Sequence, residues 1–407
     1  MNTNAPEITL VHDWLTGMRG GEKCLEPVCR RYPRARLFTL LHKPGSVSEA
    51  ISRLRPRASF LNRLPGWPRY YRYLLPLMPV AARWPIPAET DLVLSFSHCV
   101  AKAAKPPPGV PHVCYCFTPM RYAWHMRESY FGRGGLKAKA LGVVLKRLRE
   151  WDRRTADRVT HFVAISKTIQ DRIKECYGRD SVIITPPADT DFYTPAAVPR
   201  EDFYLVVSAL APYKRFDLAI EACTRLGKKL VVIGSGQDAA KLRATAGPGV
   251  TFLGWQPDEV IRDHYRRCAA VLFPAEEDFG IVPLEAQACG APVIAFGKGG
   301  ATETVTPLFR VADSRRESVP FGWPTLVESR SEAEESLSAR ATHPIEPAPT
   351  GVFFHEQTAD AVVAAIEKFE RHRHAFDPAA ARRNAEPFSL ARYERELFGY
   401  IDGILRE

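Results

Sequence analysis

The sequence predicts an α/β protein made of two parallel-sheet domains facing each other across a cleft. Three observations lead there. Apolar segments of strand length alternate with helical segments, the rhythm of βαβ units. That rhythm stops at a Pro-rich stretch near the middle and then starts again. Finally, 407 residues are too many for one ordinary core.

In the first half, strand-like runs fall at residues 8–11, 37–41, 92–96, 113–117 and 162–165. Pro186, Pro187, Ala188 and Asp189, followed by a stretch rich in Pro, Ala and Val at 194–200, read as the linker, so the first domain is set at 1–187. Strands resume at 204–207, 230–233, 250–253, 270–273 and 293–296, giving a second domain over 188–387. Residues 308–349 break the rhythm and have loop-like or disordered composition, an insertion of unassigned role. Residues 351–354 read as a last strand and 358–371 as an amphipathic helix. Segment 388–407 is a terminal helix, with Leu390, Tyr393, Leu397, Tyr400, Ile401 and Ile404 at helical spacing.

Hydrophobic content of 45% with 25% charged residues describes a soluble globular chain without a membrane-spanning run. The start carries no basic segment followed by an apolar one, so a cytoplasmic location is expected. Nine cysteines without a C-x-x-C pair argue against a disulfide framework and against zinc. The net charge of +10 calls for an anionic partner: nucleic acid, nucleotide or an acidic membrane surface. Residues 53–84 and 137–154 interleave basic, aromatic and apolar side chains, which suits peripheral contact with the inner face of an anionic membrane rather than nucleic acid. A helix face packed on its own domain has the same pattern.

The most informative segment is 273–296. An apolar strand runs into a polar loop bearing Glu277, then Gly280, and then a helix whose early residues include Pro283 and Glu285. Glu277 is placed at the carboxyl end of a strand, where open α/β sheets bind ligands, and Glu285 in the first helical turn. The helix start offers N–H groups of Gly280, Ile281 and Val282 to a phosphate. A second Gly-rich strand-to-helix turn, Gly20 and Gly21, follows the string His12, Asp13, Trp14.

The string Glu277, Asp278, Phe279, Gly280, Pro283, Leu284, Glu285, with Gly290, Pro292 and then Gly299 and Gly300, resembles the Glu-x7-Glu region of retaining glycosyltransferases of family 4. The resemblance implies the GT-B architecture of two Rossmann-like domains, the last helix crossing back to the first. It also implies roles. Glu285 would hold the donor ribose and Glu277 the transferred sugar. Lys214, Arg215 and the Gly280 to Val282 N–H groups would hold the departing diphosphate, which accepts the acceptor proton. Gly20 and Gly21 would face the diphosphate and the acceptor, and backbone near Gly254 would read the base.

No cofactor or divalent metal is implied beyond the nucleotide-sugar donor itself. Residues 95–98 and 114–124 resemble a subgroup of bacterial mannosyltransferases of O-antigen and exopolysaccharide assembly. That subgroup implies GDP-mannose as donor and a lipid-linked or polysaccharide acceptor. Two positions depart from the pattern: Ala209 stands where an Arg is common, and Phe117 where a His is. His98 or Arg121 would then meet the sugar in place of that His. A nucleotide-sugar epimerase of the same architecture, or a non-catalytic nucleotide- or glycan-binding member, fits the same residues.

Overall fold

A computed structural model describes residues 5–124, 136–308 and 348–407. Most of the 308–349 insertion lies outside these residues. The described chain forms two parallel sheets.

The first sheet has seven strands in the order β3-β2-β1-β4-β5-β6-β7. Its strands are β1 (Ile8–Leu15), β2 (Arg36–His42), β3 (Arg57–Ala58), β4 (Leu92–Ser97), β5 (His112–Cys116), β6 (His161–Ala164) and β7 (Ser181–Ile183). β1, β4 and β5 are buried along their whole length because helices cover both faces, so they read as continuous apolar runs instead of alternating ones. The two edge strands, β3 and β7, were not expected. They are two and three residues long and largely exposed, too short and too polar to leave a periodic signal.

The second sheet has six strands in the order β10-β9-β8-β11-β12-β13. They are β8 (Phe203–Val207), β9 (Lys229–Ile233), β10 (Val250–Gly254), β11 (Ala270–Phe273), β12 (Val293–Phe296) and β13 (Gly351–Phe354). In both sheets the strand order reverses beside the first strand of the domain, which opens a crevice at the carboxyl ends of the strands.

The helix Leu390–Ile404 returns to the first domain. Tyr393 donates to the Cys24 carbonyl at 2.9 Å and its ring lies 5.8 Å from Tyr115, while Leu397 and Ile401 are fully buried. All nine cysteines are buried, and burial pushes thiols such as Cys24 and Cys29 up to about 12, which suits packing rather than reactivity.

The basic stretch 53–84 divides between its two readings. Leu61, Trp67, Leu75, Met78 and Trp84 are buried in a core shared with Leu145 and Leu148 of the helix Leu136–Ala156, whereas Phe60, Tyr73, Leu77 and Val80 are exposed.

Candidate functional site

The Glu277 loop is fixed from below by two glycines. Gly300 donates to the Glu277 carbonyl at 2.8 Å, and a Cβ there would come within 2.2 Å of the Phe279 Cα, so only glycine allows the two backbones to touch. Gly280 ends the loop at φ 87°, a left-handed turn that starts the helix Ile281–Ala288. Because Ile281 is the first helical residue, Glu285 stands at the start of the second turn, one residue beyond its expected place. It therefore points along the buried side of the helix and does not cap it.

Glu277 is in ion-pair contact with Lys214, and both side chains are largely shielded. Burial, aided by the Arg121 charge, pushes the Lys214 ammonium down to about 7, and Asp278 opposes that shift. Contact with the Glu277 carboxylate favours the charged form. Arg215 behaves differently from its neighbour. Its φ of 53° is left-handed, and its guanidinium meets Asp217 two residues on, with Nε at 3.2 Å. The structure thus brings Lys214 to Glu277 and turns Arg215 to its own helix.

Glu285 is buried, and desolvation raises its carboxyl to about 7 against the opposing charge of Lys23. Tyr265 donates to it at 3.4 Å and the Lys23 ammonium lies 3.7 Å away. Lys23 comes from the other domain, on the helix Gly20–Arg31. Burial pulls its ammonium down, but the Glu285 and Asp258 charges outweigh this and hold it above its ordinary value. The two helix starts meet here: a Cβ on Gly20 would lie 3.1 Å from the Ile281 Cδ1. Gly20, Gly21, Gly280, Ile281 and Val282 therefore border one crevice.

Four polar bridges span the same crevice. Arg121 forks onto Asp278, with Nε at 2.9 Å, and Arg172 also pairs with Asp278. Ser166 donates to the Asp278 carbonyl at 2.6 Å. Glu303 accepts from the Lys167 and Thr168 N–H groups at 2.7 and 3.0 Å, capping the helix Lys167–Tyr177 from the opposite domain. Asp278, Lys23 and Glu303 were not singled out from sequence, although Asp278 lies next to Glu277, and Lys23 and Glu303 lie within three residues of the Gly20–Gly21 and Gly299–Gly300 pairs.

On the first domain, Asp13 organises the site. Fully buried, it accepts four backbone N–H groups, from His98, Cys99, Val100 and Ala101, at 2.6 to 2.8 Å. It also lies 3.1 Å from the His98 Nδ1. His98 packs edge-on against Trp14 at 4.3 Å and lies 6.3 Å from the Phe117 ring. Burial lowers the His98 imidazole. Gly254, at φ 72°, closes β10 with open space where a Cβ would be, and its carbonyl accepts from the Gly234 N–H at 2.7 Å.

Two parallel-sheet Rossmann-like domains, joined across a crevice and strapped by a returning helix, make the GT-B fold of glycosyltransferases. Residues 19–192 match the family model described as Glycosyltransferase Family 4 and residues 189–315 the one described as Glycosyl transferases group 1, so the chain carries both GT-B glycosyltransferase domains in sequence.

Among curated proteins, a D-inositol 3-phosphate glycosyltransferase of Geodermatophilus obscurus is 32% identical over 250 residues, covering 53% of this chain and 53% of the relative. The protein of that name from Gordonia bronchialis is 30% identical over 189 residues, covering 38% and 41%. The chain thus spans about half, or less, of the length of these relatives. Among solved structures, sucrose-phosphate synthase of Thermosynechococcus elongatus has a TM-score of 0.68 at 14% identity, covering 99% of this chain and 100% of that one. HepE of Anabaena, solved with UDP and glucose, has a TM-score of 0.63 at 16% identity, covering 97% and 99%. At these identities the structural likeness speaks for the fold.

Proposed function

We propose that this chain is a retaining glycosyltransferase that moves a hexose from a nucleotide diphosphate sugar to a hydroxyl acceptor. The observation that carries it is the crevice in which Glu277, Lys214, Glu285 and the helix start at Gly280 face the Gly20–Gly21 helix start of the other domain. In this reading Lys214 and the helix N–H groups take the charge that develops on the departing diphosphate. The Lys214–Glu277 and Lys23–Glu285 pairs are the contacts a donor would exchange for its own phosphate and hydroxyl groups.

The mannosyltransferase-like strings favour GDP-mannose and a lipid-linked or polysaccharide acceptor. The curated relatives are named for an inositol phosphate acceptor, and HepE was solved with UDP and glucose. The test is release of nucleoside diphosphate from GDP-mannose and UDP-glucose, with inositol 3-phosphate or membrane extract as acceptor. Acceptor-dependent release from one donor is the expected result. No release from any donor would leave a non-catalytic binding protein, and sugar conversion without acceptor would indicate an epimerase.

A membrane-borne acceptor is supported by residues 53–88, which contain seven arginines and no acidic residue. Phe60, Tyr73, Leu77 and Val80 are exposed on the same stretch, and no helix among the described residues is long and apolar enough to cross a bilayer. Sedimentation with vesicles containing phosphatidylserine should be strong at low salt and fall steeply by about 0.5 M, where screening is nearly complete. Equal sedimentation with neutral vesicles would remove the anionic-surface reading.

A further inference from the structure

We propose that His12, with Thr118 beside the same crevice, is the polar contact for a hydroxyl of the transferred sugar, at the place where Phe117 presents only a hydrocarbon ring. The inference rests on the donor reading above and adds residues to it. His12 lies on β1 and is 1% exposed, yet neither ring nitrogen has a hydrogen-bond partner. The Thr118 hydroxyl, just past β5, is likewise buried without a partner, and so is the Thr16 hydroxyl just past β1. Buried polar side chains are nearly always paired, and three such side chains in or just beyond the carboxyl-terminal halves of two strands of one sheet call for a physical reason. A ligand that supplies the missing partners is such a reason, because strand carboxyl ends are where this architecture receives ligands.

The local geometry points to the crevice. The His12 Nε2 would lie 3.3 Å from a Cβ on Gly21, and the Phe117 ring 3.5 Å from the same point. Glycine at 21 therefore leaves an opening between the imidazole, the Phe117 ring and the start of the helix Gly20–Arg31. His98 stands 6.4 Å from His12, ring to ring, but its Nδ1 is already held by Asp13. The Trp14 and Gly21 backbones lie near enough to His12 to favour its charged form, but neither makes a hydrogen bond of good geometry with a ring nitrogen, so both nitrogens are open to a better partner.

Burial keeps it neutral, lowering it to about 4 against the opposing pull of Asp13. A neutral imidazole has one donor and one acceptor nitrogen, which matches a sugar hydroxyl that can accept and donate in turn. The Thr118 hydroxyl makes no hydrogen bond within the protein and His12 only weak backbone contacts at Trp14 and Gly21, so removing those polar atoms should cost the fold little through lost hydrogen bonds.

The test is calorimetric titration of wild type, His12→Phe and Thr118→Val with UDP, UDP-glucose, GDP and GDP-mannose, after melting curves. For the donor the wild type prefers, we expect the affinity of the bare diphosphate to stay within about twofold in both variants. The affinity gained from the attached sugar should fall about tenfold or more in His12→Phe and severalfold in Thr118→Val, the size expected for a lost hydrogen bond. Should the larger ring of His12→Phe prevent folding, the isosteric Thr118→Val decides alone. A sugar-dependent gain that survives the substitutions, or that is absent in the wild type, overturns the assignment while the nucleotide site stands. Failure of the wild type to bind any of the four ligands overturns the donor reading, and this inference with it.

Discussion

Replacing Glu277 with Gln should slow nucleoside diphosphate release from the preferred donor by about 10²–10³-fold, the range for losing one preorganised electrostatic contact, while the diphosphate itself still binds. Glu277 meets Lys214 at the mouth of the crevice, and its loop is held independently by the Gly300 N–H, so the substitution removes a charge without removing the loop. Gln is the better choice here than Ala, because Ala would empty the space beside the largely buried Lys214 as well as remove its partner.

Glu285→Gln should behave in the opposite way. Diphosphate affinity should drop about 10–100-fold, as for a lost hydrogen bond to a charged group. The unliganded protein should also melt higher at neutral pH. Burial lifts the Glu285 carboxyl to about 7 from 4.5, so between those values the folded state holds a proton that the unfolded chain has released. Its contribution to stability is therefore lost as pH rises from about 4.5 to 7, and Gln removes that penalty. Titration calorimetry, turnover and melting curves at pH 5 and 7.5 separate the two acids. Matching changes in both variants would show that the division between sugar and ribose is wrong.

Asp13→Ala should be the most destabilising single change in the crevice, costing about 3–5 kcal/mol in urea unfolding, because several backbone donors lose their acceptor at about 1–3 kcal/mol each. The four N–H groups of residues 98–101 end on its two oxygens, and alanine would leave three of them buried and the His98 N–H part-buried without that acceptor. Asp13→Asn keeps one acceptor but turns an amide NH₂ toward the remaining donors, so it should fall between. A loss below about 1 kcal/mol for Asp13→Ala would mean that the loop finds other acceptors and that Asp13 does not build the site.

The second-domain half of the candidate site was legible because it is contiguous. Glu277, Gly280 and Glu285 lie within one strand-turn-helix unit, whose apolar runs and glycines announce its geometry. Lys214 follows the same logic in the turn Pro212–Lys214 beyond the neighbouring strand, β8. Arg215 shows the limit of that reasoning. Sequence places it beside Lys214, but a left-handed backbone sends its guanidinium to Asp217. Gly234 and Gly236 are set against the Ser208 and Leu210 backbones, where a Cβ would come within 1.8 and 2.2 Å of the carbonyl oxygens, a contact between neighbouring strand ends that no local pattern announces.

The first-domain half was much less visible. Asp13 and His12 come from β1, His98 from the end of β4, and Phe117 and Thr118 from the end of β5, about a hundred residues apart along the chain. No local pattern marks Asp13 as an acceptor for a loop 85 residues away.

By itself, the sequence determined the two-domain parallel-sheet plan, the terminal helix and the acids of the Glu277 to Glu285 segment, since these depend on periodicity and on neighbours within a few residues; that the helix returns to the first domain was implied only by the family resemblance. Tertiary structure alone decided which charges meet across the crevice: Lys23 with Glu285, Arg121 and Arg172 with Asp278, Glu303 with the start of the Lys167–Tyr177 helix. It alone left His12 and Thr118 buried without partners. Pairing and desolvation depend on distances between elements remote in sequence, and those distances are set only when both sheets have packed.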